Sequence, residues 1–548
     1  MAAMTTTMDL GDARDSQDND VRYQAMLARD PRFDGVFFVG VTTTGVYCRP
    51  VCPARTPGRD RCRFFRAAAE AERAGFRACF RCRPELAPGA APVDAVSRLV
   101  SAALARIDAG YLNDHSAAEL AAELGVTDRH LRRVVEDEVG VPLIEIAQSR
   151  RLALARRLVM DTPLPLTRIA LASGFRSVRR FNALFAARFG RPPSAFSVSK
   201  GARAKSRRRA APARSRRANA GGEIVVRLHF RPPFRWPELL AFLRDRAIPG
   251  VEAVAGDEYW RTIRAGSTGE LVGRVRVSLD DRTNALRAAV SPGLVGALMQ
   301  VVARLRVLFD LDARPDLIAA RLEGDPVLGP ALRRLAGLRV PGAVDPFEAT
   351  VRAVLGQQVS VRAATTLAGR LVARFGAPFT GDVDGTPGPD GAASAPVLTH
   401  LFPAPRDLAA ASVDDLASIG LPGARAATLR QIAALFASPG LVGAWDAGNR
   451  VEITRRLKEI PGVGDWTAEY VAMRALHDPD AFPAGDLGVR RALGNLSARE
   501  ASARAEAWRP WRSYAVMHLW SSLATRPTTA TSLAPPRSRT RKTKGDLT

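Results

Sequence analysis

The sequence predicts a multidomain, mainly helical protein with α+β parts, and three observations carry that expectation. All five cysteines fall between Cys48 and Cys82. Apolar residues recur at three- and four-residue spacing from about Val93 to Ser199 and again from about Arg314 to Ala524. Two runs, "EIVVRLHF" from Glu223 and "LVGRVRVSL" from Leu271, alternate in the manner of half-buried strands. At 548 residues the chain is long enough for several domains, and 47% hydrophobic residues are ample for packed cores.

Charge narrows the partners. Lys plus Arg number 80 against 55 Asp plus Glu, a net +25, which points to a polyanion: nucleic acid first, because neutralised phosphates release counterions, and an anionic membrane second. Only five of the basic residues are lysines, so covalent lysine chemistry has few candidates. There is no basic start followed by a short apolar run and no apolar stretch of about 18 residues. The expectation is a cytoplasmic address and no membrane contact. In a reducing compartment the cysteines read as thiols or metal ligands.

In chain order, residues 1–20 are small, polar and acidic and read as a disordered lead, followed by a cysteine domain over 21–92 and a helical domain over 93–199. Lys200 to Asn219 carries nine basic residues and no acidic one, which makes 200–222 a basic linker. A small α/β domain spans 223–310, with a helix near Trp236 to Arg246 between its strand patterns. An all-helical domain fills 311–525, interrupted by a Gly/Pro/Ala-rich insertion from Gly376 to Pro396. The tail 526–548 is polar and basic, with six basic residues and one acidic, and reads as disordered. Linker and tail together hold 14 of the 25 net charges, so a moderate excess remains for folded surfaces.

Cys48 and Cys52 are separated by three residues in "TTGVYCRPVC", Cys79 and Cys82 by two in "FRACFRC", and 26 residues lie between the pairs. That is the pattern of a tetrahedral four-cysteine zinc site, and on spacing alone a zinc that only staples a small domain is the first reading. Cys62 lies outside both pairs and reads as a bystander thiol. These stretches resemble the zinc domain of the Ada adaptive-response family, in which one zinc-bound cysteine takes a methyl group from a methylphosphotriester in alkylated DNA. The resemblance implies Cys48 as the acceptor and Cys52, Cys79 and Cys82 as the remaining ligands of one Zn²⁺, with no organic cofactor. Four thiolates on Zn²⁺ carry a formal −2, and methylation of one removes a unit of negative charge, so repulsion from DNA phosphates falls.

Two segments, Ser116 to Gly140 and Ile169 to Pro193, each read as helix, glycine turn (Gly125, Gly174) and second helix. Thr127, Arg129, His130 and Arg133 in the first and Ser177, Arg179 and Arg180 in the second are positioned to face a DNA groove. A plain helical bundle with solvated arginines explains either unit alone. The second segment resembles the AraC-type regulator signature, which implies promoter DNA and RNA polymerase as partners.

In the C-terminal half, "IPGVGDWTAEY" (Ile460 to Tyr470) reads as a tight hairpin between two helices, whose Gly462 and Gly464 expose amide groups to a phosphate. Asp486 follows twenty residues after Trp466. With "RPPFRWPELLAFLRDRAIPGVE", "LGQQVS" and "WRPWRSYAVMHLW", this part resembles the AlkA-type helix-hairpin-helix 3-methyladenine DNA glycosylases. The resemblance implies Asp486 as the catalytic carboxylate, Trp466, Tyr470 and Trp520 as an aromatic base pocket, Gln358 at the DNA wedge position, and hydrolysis of the N-glycosidic bond of alkylated purines in double-stranded DNA. Relatives that also cleave the strand carry lysine at the Trp466 position, so a monofunctional reaction is implied. The competing expectation is a zinc-containing AraC-type transcription factor whose C-terminal half binds DNA without catalysis.

Overall fold

The computed structural model describes residues 10–89, 97–196, 222–280, 282–380, 396–438 and 450–524. The basic linker, apart from Gly222, and the basic tail lie outside these residues, as does 381–395 of the insertion. One expectation is corrected: residues 10–20, read as a disordered lead, belong to a helix, Leu10–Leu27. Its second half has something to pack on, since Ala25 and Met26 are buried with Phe37, Val39 and Cys62, and Asp20 pairs with Arg59 at 3.0 Å.

The cysteine domain is a four-stranded sheet of order β3-β1-β2-β4: β1 Phe38–Val41, β2 Val46–Cys48, β3 Cys62–Phe65 and β4 Arg77–Ala78. β2 and β4 run parallel, with Tyr47 opposite Ala78, so the chain leaves both strands at the same end with Cys48 and Cys79 side by side. Gly40 in β1 admits no side chain, because a Cβ there would stand 2.7 Å from the Phe65 ring and 2.9 Å from Phe76.

Both helix-turn-helix units form as their punctuation predicts. In the first, Ser116 and Glu119 make a capping box for Ala117–Glu123, Gly125 turns the chain at φ +72°, and Thr127 caps Asp128–Val139. In the second, Leu166–Ala172 leads through Gly174 at φ +80° to Val178–Phe189, capped by Ser177. Leu120, Leu131, Phe181 and Phe185, the apolar positions at helical spacing, are fully buried.

The α/β domain holds a five-stranded antiparallel sheet, order β5-β9-β8-β7-β6, where the sequence signalled only two strands. β5 is Ile224–His229 and β8 is Leu271–Asp280, both anticipated. β6 (Glu252–Ala255), β7 (Glu258–Ala265) and β9 (Ala285–Val290) lack alternation because β7 and β9 are covered on both faces. Buried Arg261 of β7 even sits against buried Glu252 and Glu348, at 3.2 and 2.8 Å.

The two halves meet around Arg231, which is 0% exposed. Its guanidinium donates to the carbonyls of Asp34 (3.0 Å) and Gly89 (2.7 Å) in the cysteine domain and of Asp312 (2.9 Å) in the C-terminal half. The Asp312 carboxylate accepts from Gly89 N at 2.8 Å and also holds Arg306. Glycine is required at position 89, where a Cβ would lie 2.6 Å from Asp312 Oδ1. Arg231→Met would leave three buried carbonyls without this donor, an expected loss of about 3–5 kcal/mol. Calorimetry should then split one unfolding transition into two; a single transition at the wild-type midpoint would contradict this role.

Candidate metal centre and candidate active site

The Sγ atoms of Cys48, Cys52, Cys79 and Cys82 all lie within 4.8 Å of one another. Cys79 N donates to Tyr47 O at 3.0 Å, which extends the β2–β4 pairing to the edge of the cluster. Crowding sets the thiols against each other. Hydrogen bonding with Cys52, then Cys79 and Cys82, pushes the Cys48 thiol well up, while bonding to Cys48 lowers Cys52 to about 7. Four sulfurs this close cannot all be thiolates without a cation, and an all-thiolate tetrahedral donor set suits Zn²⁺. The residues therefore fit one Zn²⁺. Cys62 is buried away from the group, with its thiol donating to Gly58 O at 3.3 Å.

The sulfurs differ in their neighbours. Cys82 Sγ accepts from Arg49 N at 3.3 Å, Cys79 Sγ accepts from Arg81 N at 3.4 Å, and Cys52 has the backbone of Ala54. Among the described residues no backbone N–H reaches Cys48 Sγ, and Cys48 is only half-buried. Arg49 also clamps the domain, donating to Asp34 Oδ1 at 2.7 Å and to Cys82 O at 3.2 Å.

In the helix-turn-helix units, Arg129, His130, Arg133, Arg179 and Arg180 are exposed at the starts of their second helices. Thr127 and Ser177 are exposed too, but their hydroxyls accept from His130 N (3.2 Å) and Arg180 N (3.3 Å) and so are engaged as caps.

In the C-terminal half the hairpin joins Arg450–Lys458 to Asp465–Arg474. Gly462 turns at φ +91° and packs so tightly that a Cβ would lie 2.5 Å from Thr428 Oγ1, whereas Gly464 faces open space. Gln357 Nε2 braces the turn by donating to Gly462 O (2.8 Å) and Thr467 Oγ1 (2.9 Å). Lys458 is paired with Asp465.

Asp486 caps the helix Leu487–Ala492, its Oδ1 accepting from Val489 N at 2.9 Å. Two indoles complete its shell: Trp520 Nε1 donates to Oδ1 at 2.9 Å and Trp466 Nε1 to Oδ2 at 3.0 Å. Gly488 makes this possible, because a Cβ there would meet Trp520 Cδ1 at 2.9 Å. Trp466 stacks on Tyr470 with centroids 5.4 Å apart, and Tyr470 lies 6.4 Å from Trp520. Asp486, these three rings, Gln358, Gly462 and Gly464 all line one cleft of about 1160 Å³. Gln358 is exposed, in the left-handed region at φ +57°.

One residue of the cleft, Arg246, and the ring it rests on, Phe242, escaped the sequence reading. Phe242 stacks on Trp520 (6.5 Å, 17°), and Arg246 lies over Phe242 with its Cζ 3.7 Å from the ring centroid. Both stand on or just beyond the helix Trp236–Arg244, whose apolar spacing gave no sign of a site in another domain. Burial pushes the Tyr470 phenol up, but the guanidinium charges of Arg474, Arg246 and Arg352 outweigh it and hold the pKa below the ordinary value.

A zinc-type thiolate cluster, two helix-turn-helix units and an aspartate cleft beside a glycine hairpin are the parts of a DNA-binding protein that couples regulation to base excision repair. Family profiles divide the chain in the same sense: "Metal binding domain of Ada" matches residues 21–85, "Helix-turn-helix domain" 120–198, "AlkA N-terminal domain" 225–345, and "HhH-GPD superfamily base excision DNA repair protein" 351–513. The chain is 40% identical over 506 residues to the "Probable bifunctional transcriptional activator/DNA repair enzyme AlkA" of Mycobacterium tuberculosis, covering 91% of this chain and 96% of that one. It is 34% identical over 293 residues to "DNA-3-methyladenine glycosylase 2" of Escherichia coli, covering 54% of this chain and 95% of the relative. To "Bifunctional transcriptional activator/DNA repair enzyme Ada" of the same organism it is 52% identical over 69 residues, which is 13% of this chain and 20% of that one. The chain belongs to the family of bifunctional transcriptional activator/DNA repair enzymes in which Ada-type and AlkA-type domains are joined. No helix among the described residues is long and apolar enough to cross a membrane.

Metal analysis of the purified protein should give one zinc per chain. Cys82→Ser should lose most of it and Cys62→Ser should retain it; equal retention in both variants would contradict the assignment.

Proposed function

We propose that the chain excises alkylated purines from double-stranded DNA with Asp486 as its catalytic carboxylate, and that Cys48 accepts methyl groups from DNA methylphosphotriesters. The observation that carries the first reading is the carboxylate of Asp486, gripped on both oxygens by indole N–H groups at the edge of an aromatic cleft. The modules are 21–92, 93–199, 223–310 and 311–525, with 200–222 as the basic linker and 526–548 as the basic tail. As a regulator the protein works in the cytoplasm, reads promoter DNA through Arg129, His130, Arg133, Arg179 and Arg180, and partners RNA polymerase. Thr127 and Ser177 cap those helices.

In excision, the target nucleotide leaves the stack and its base enters the cleft. A purine methylated at N3 or N7 is cationic, and the electron-rich faces of Trp466, Tyr470 and Trp520 attract it. The bond between C1′ and the base nitrogen breaks with both electrons going to the base, which leaves neutral. Positive charge then develops on the sugar, where the fixed carboxylate of Asp486 stabilises it and orients the water that adds to C1′ and loses its proton to solvent. Asp486 is held as an acceptor by three N–H donors, so it acts without reorganising. Trp466 offers no amine to trap the sugar and Lys458 is tied to Asp465, which supports hydrolysis without strand cleavage. Gly462 and Gly464 hold the DNA backbone, and Gln358 at the mouth fills the gap left by the flipped base.

In methyl transfer, Cys48 Sγ attacks the methyl carbon of the triester, the carbon–oxygen bond breaks, and the phosphodiester anion departs. Bound Zn²⁺ would supply the charge that keeps the cysteine a thiolate at neutral pH. Each of the other three sulfurs has a backbone donor drawing on its electron density, which supports Cys48 as the strongest nucleophile. The product thioether removes one negative charge from the surface facing DNA, so DNA affinity rises.

Asp486→Asn should bind lesion duplex yet release 3-methyladenine at least about 10²-fold more slowly, as assayed by chromatography of freed bases. Wild-type release by this variant would refute the mechanism. Cys48→Ala should take up no label from methyl-labelled phosphotriester DNA while Cys62→Ala labels fully, and labelling of the Cys48 variant would move the acceptor elsewhere.

A further inference from the structure

One short helix of the cysteine domain, Ala68–Arg73, lies against both helix-turn-helix units and carries no group used in methyl transfer. Its alanines are divided between the two. Ala69 is buried in the core of the first unit with Leu120 and Leu131, and Ala71, fully buried, belongs to the core that holds Phe181 and Phe185 of the second. Its charged residues then reach the C-terminal end of the second helix of each unit. On one side Arg73 Nη1 pairs with Glu136 Oε1 at 3.2 Å and donates to Gly140 O at 3.4 Å. Gly140 closes the helix Asp128–Val139 at φ +82° and leads through Val141 and Pro142 into Leu143–Asp161, the helix that joins the units. On the other side Glu72 is ion-paired with Arg188, in the last turn of Val178–Phe189. The same carboxylate accepts from the hydroxyl of Tyr47 in β2 at 2.9 Å, which ties the pair to the sheet of the cysteine domain.

The two contacts differ in weight. Arg73 and Glu136 are each about half exposed, so that pair alone holds little. The Glu72 side chain is 7% exposed, and removal of Arg188 would leave a buried charge without its counterion. The joining helix has 19 residues and spans about 28 Å, of the order of one turn of DNA. One helix fixes the distance between two units better than it fixes the rotation of one against the other. Rotation matters on DNA, because each base pair turns the groove by about 34°. A brace on the far ends of both second helices removes that freedom.

We propose that the helix Ala68–Arg73 is a spacer for the two helix-turn-helix units, and that the protein therefore reads two-part promoter sites at one fixed spacing. The inference rests on the reading of both units as promoter-binding. It gives the cysteine domain a task separate from methyl acceptance: through Glu72 and Arg73 it acts as a positioning element for side chains that touch the DNA, such as Arg129 and Arg179, and makes no base contact itself.

The test uses the full-length, zinc-loaded protein, before and after incubation with methylphosphotriester duplex. Each form enriches sites from a duplex library randomised over about 40 base pairs, and Kd is then measured with base pairs inserted between the halves of the enriched site. Wild type should select a two-part motif, and an insertion of two base pairs, a rotation of about 70°, should weaken binding at least about 30-fold. Arg188→Met should bind the parent site within about fivefold of wild type and lose less than about fivefold on the insertion, with Arg188→Lys, which keeps the charge, between the two. Arg73→Met cuts the weaker contact and should flatten the dependence to a smaller degree; it decides the matter if Arg188→Met does not retain its zinc. Wild-type spacing dependence in both Met variants, or an equal loss at every spacing, would overturn the proposal. So would a wild-type motif of one part, which leaves the regulator reading intact with one unit on the DNA. No enriched motif in either form would remove that reading itself and the proposal with it.

Discussion

The contact on which the arrangement of the whole chain depends is the buried guanidinium of Arg231. It satisfies carbonyls of Asp34 and Gly89 on one side and of Asp312 on the other, and it is fully buried. A planar fork with five donors can reach three carbonyls in different directions at once. Around it a continuous apolar core runs from Phe38, Tyr47 and Phe65 in the cysteine domain through Phe181 and Phe185 in the second helix-turn-helix unit to Val226 and Leu286 in the α/β sheet. The core supplies the association, and the polar contact fixes its register, because any other docking would leave a buried charge without partners.

The residue that anchors the halves is linked to the cysteine cluster through Asp34. Asp34 gives its backbone oxygen to Arg231 and its carboxylate to Arg49, and Arg49 in turn donates its amide to Cys82 Sγ. The zinc ligands are thus part of a hydrogen-bonded run that ends in the glycosylase half. Arg156, 1% exposed, makes a parallel link: it donates to Cys79 O at 3.2 Å and lies over Phe80 and over Phe189 at the end of the helix Val178–Phe189. The modules that sequence reads as beads on a string therefore share buried contacts.

What sequence could and could not reveal follows from the range of the interactions. The cysteine pairs, the capped helices and the glycine hairpin are local patterns, with the chemistry and its spacing in one short stretch. So is Asp486, once the hairpin before it is recognised. β7 was missed because a strand buried on both faces has no alternation, and its Arg261 reads as solvated until Glu252 and Glu348 arrive from elsewhere. Arg231, Phe242 and Arg246 fail for the same reason. In the sequence each is one arginine or aromatic among many, and only the fold sets it against a cysteine domain or an indole far along the chain. The helix Leu10–Leu27 differs: its composition is that of a solvated lead, and the few apolar residues near its end suffice because a prepared surface receives them.

Buried charge separates structure from chemistry within the cleft itself. Glu252 and Glu348 face Arg261 and Arg352 in a compensated network, where burial alone would raise the acid but the two arginines hold Glu252 down at about 2. Such a network is close to neutral for stability, since the desolvation of each ion is offset by its partners. Asp486 and Arg246, by contrast, line the one cleft with neither forming a salt bridge among the described residues, and each is held instead by neutral groups: indole and amide N–H for the acid, an aromatic face and a carbonyl for the base. Ions supported by neutral dipoles keep their field directed into the space between them.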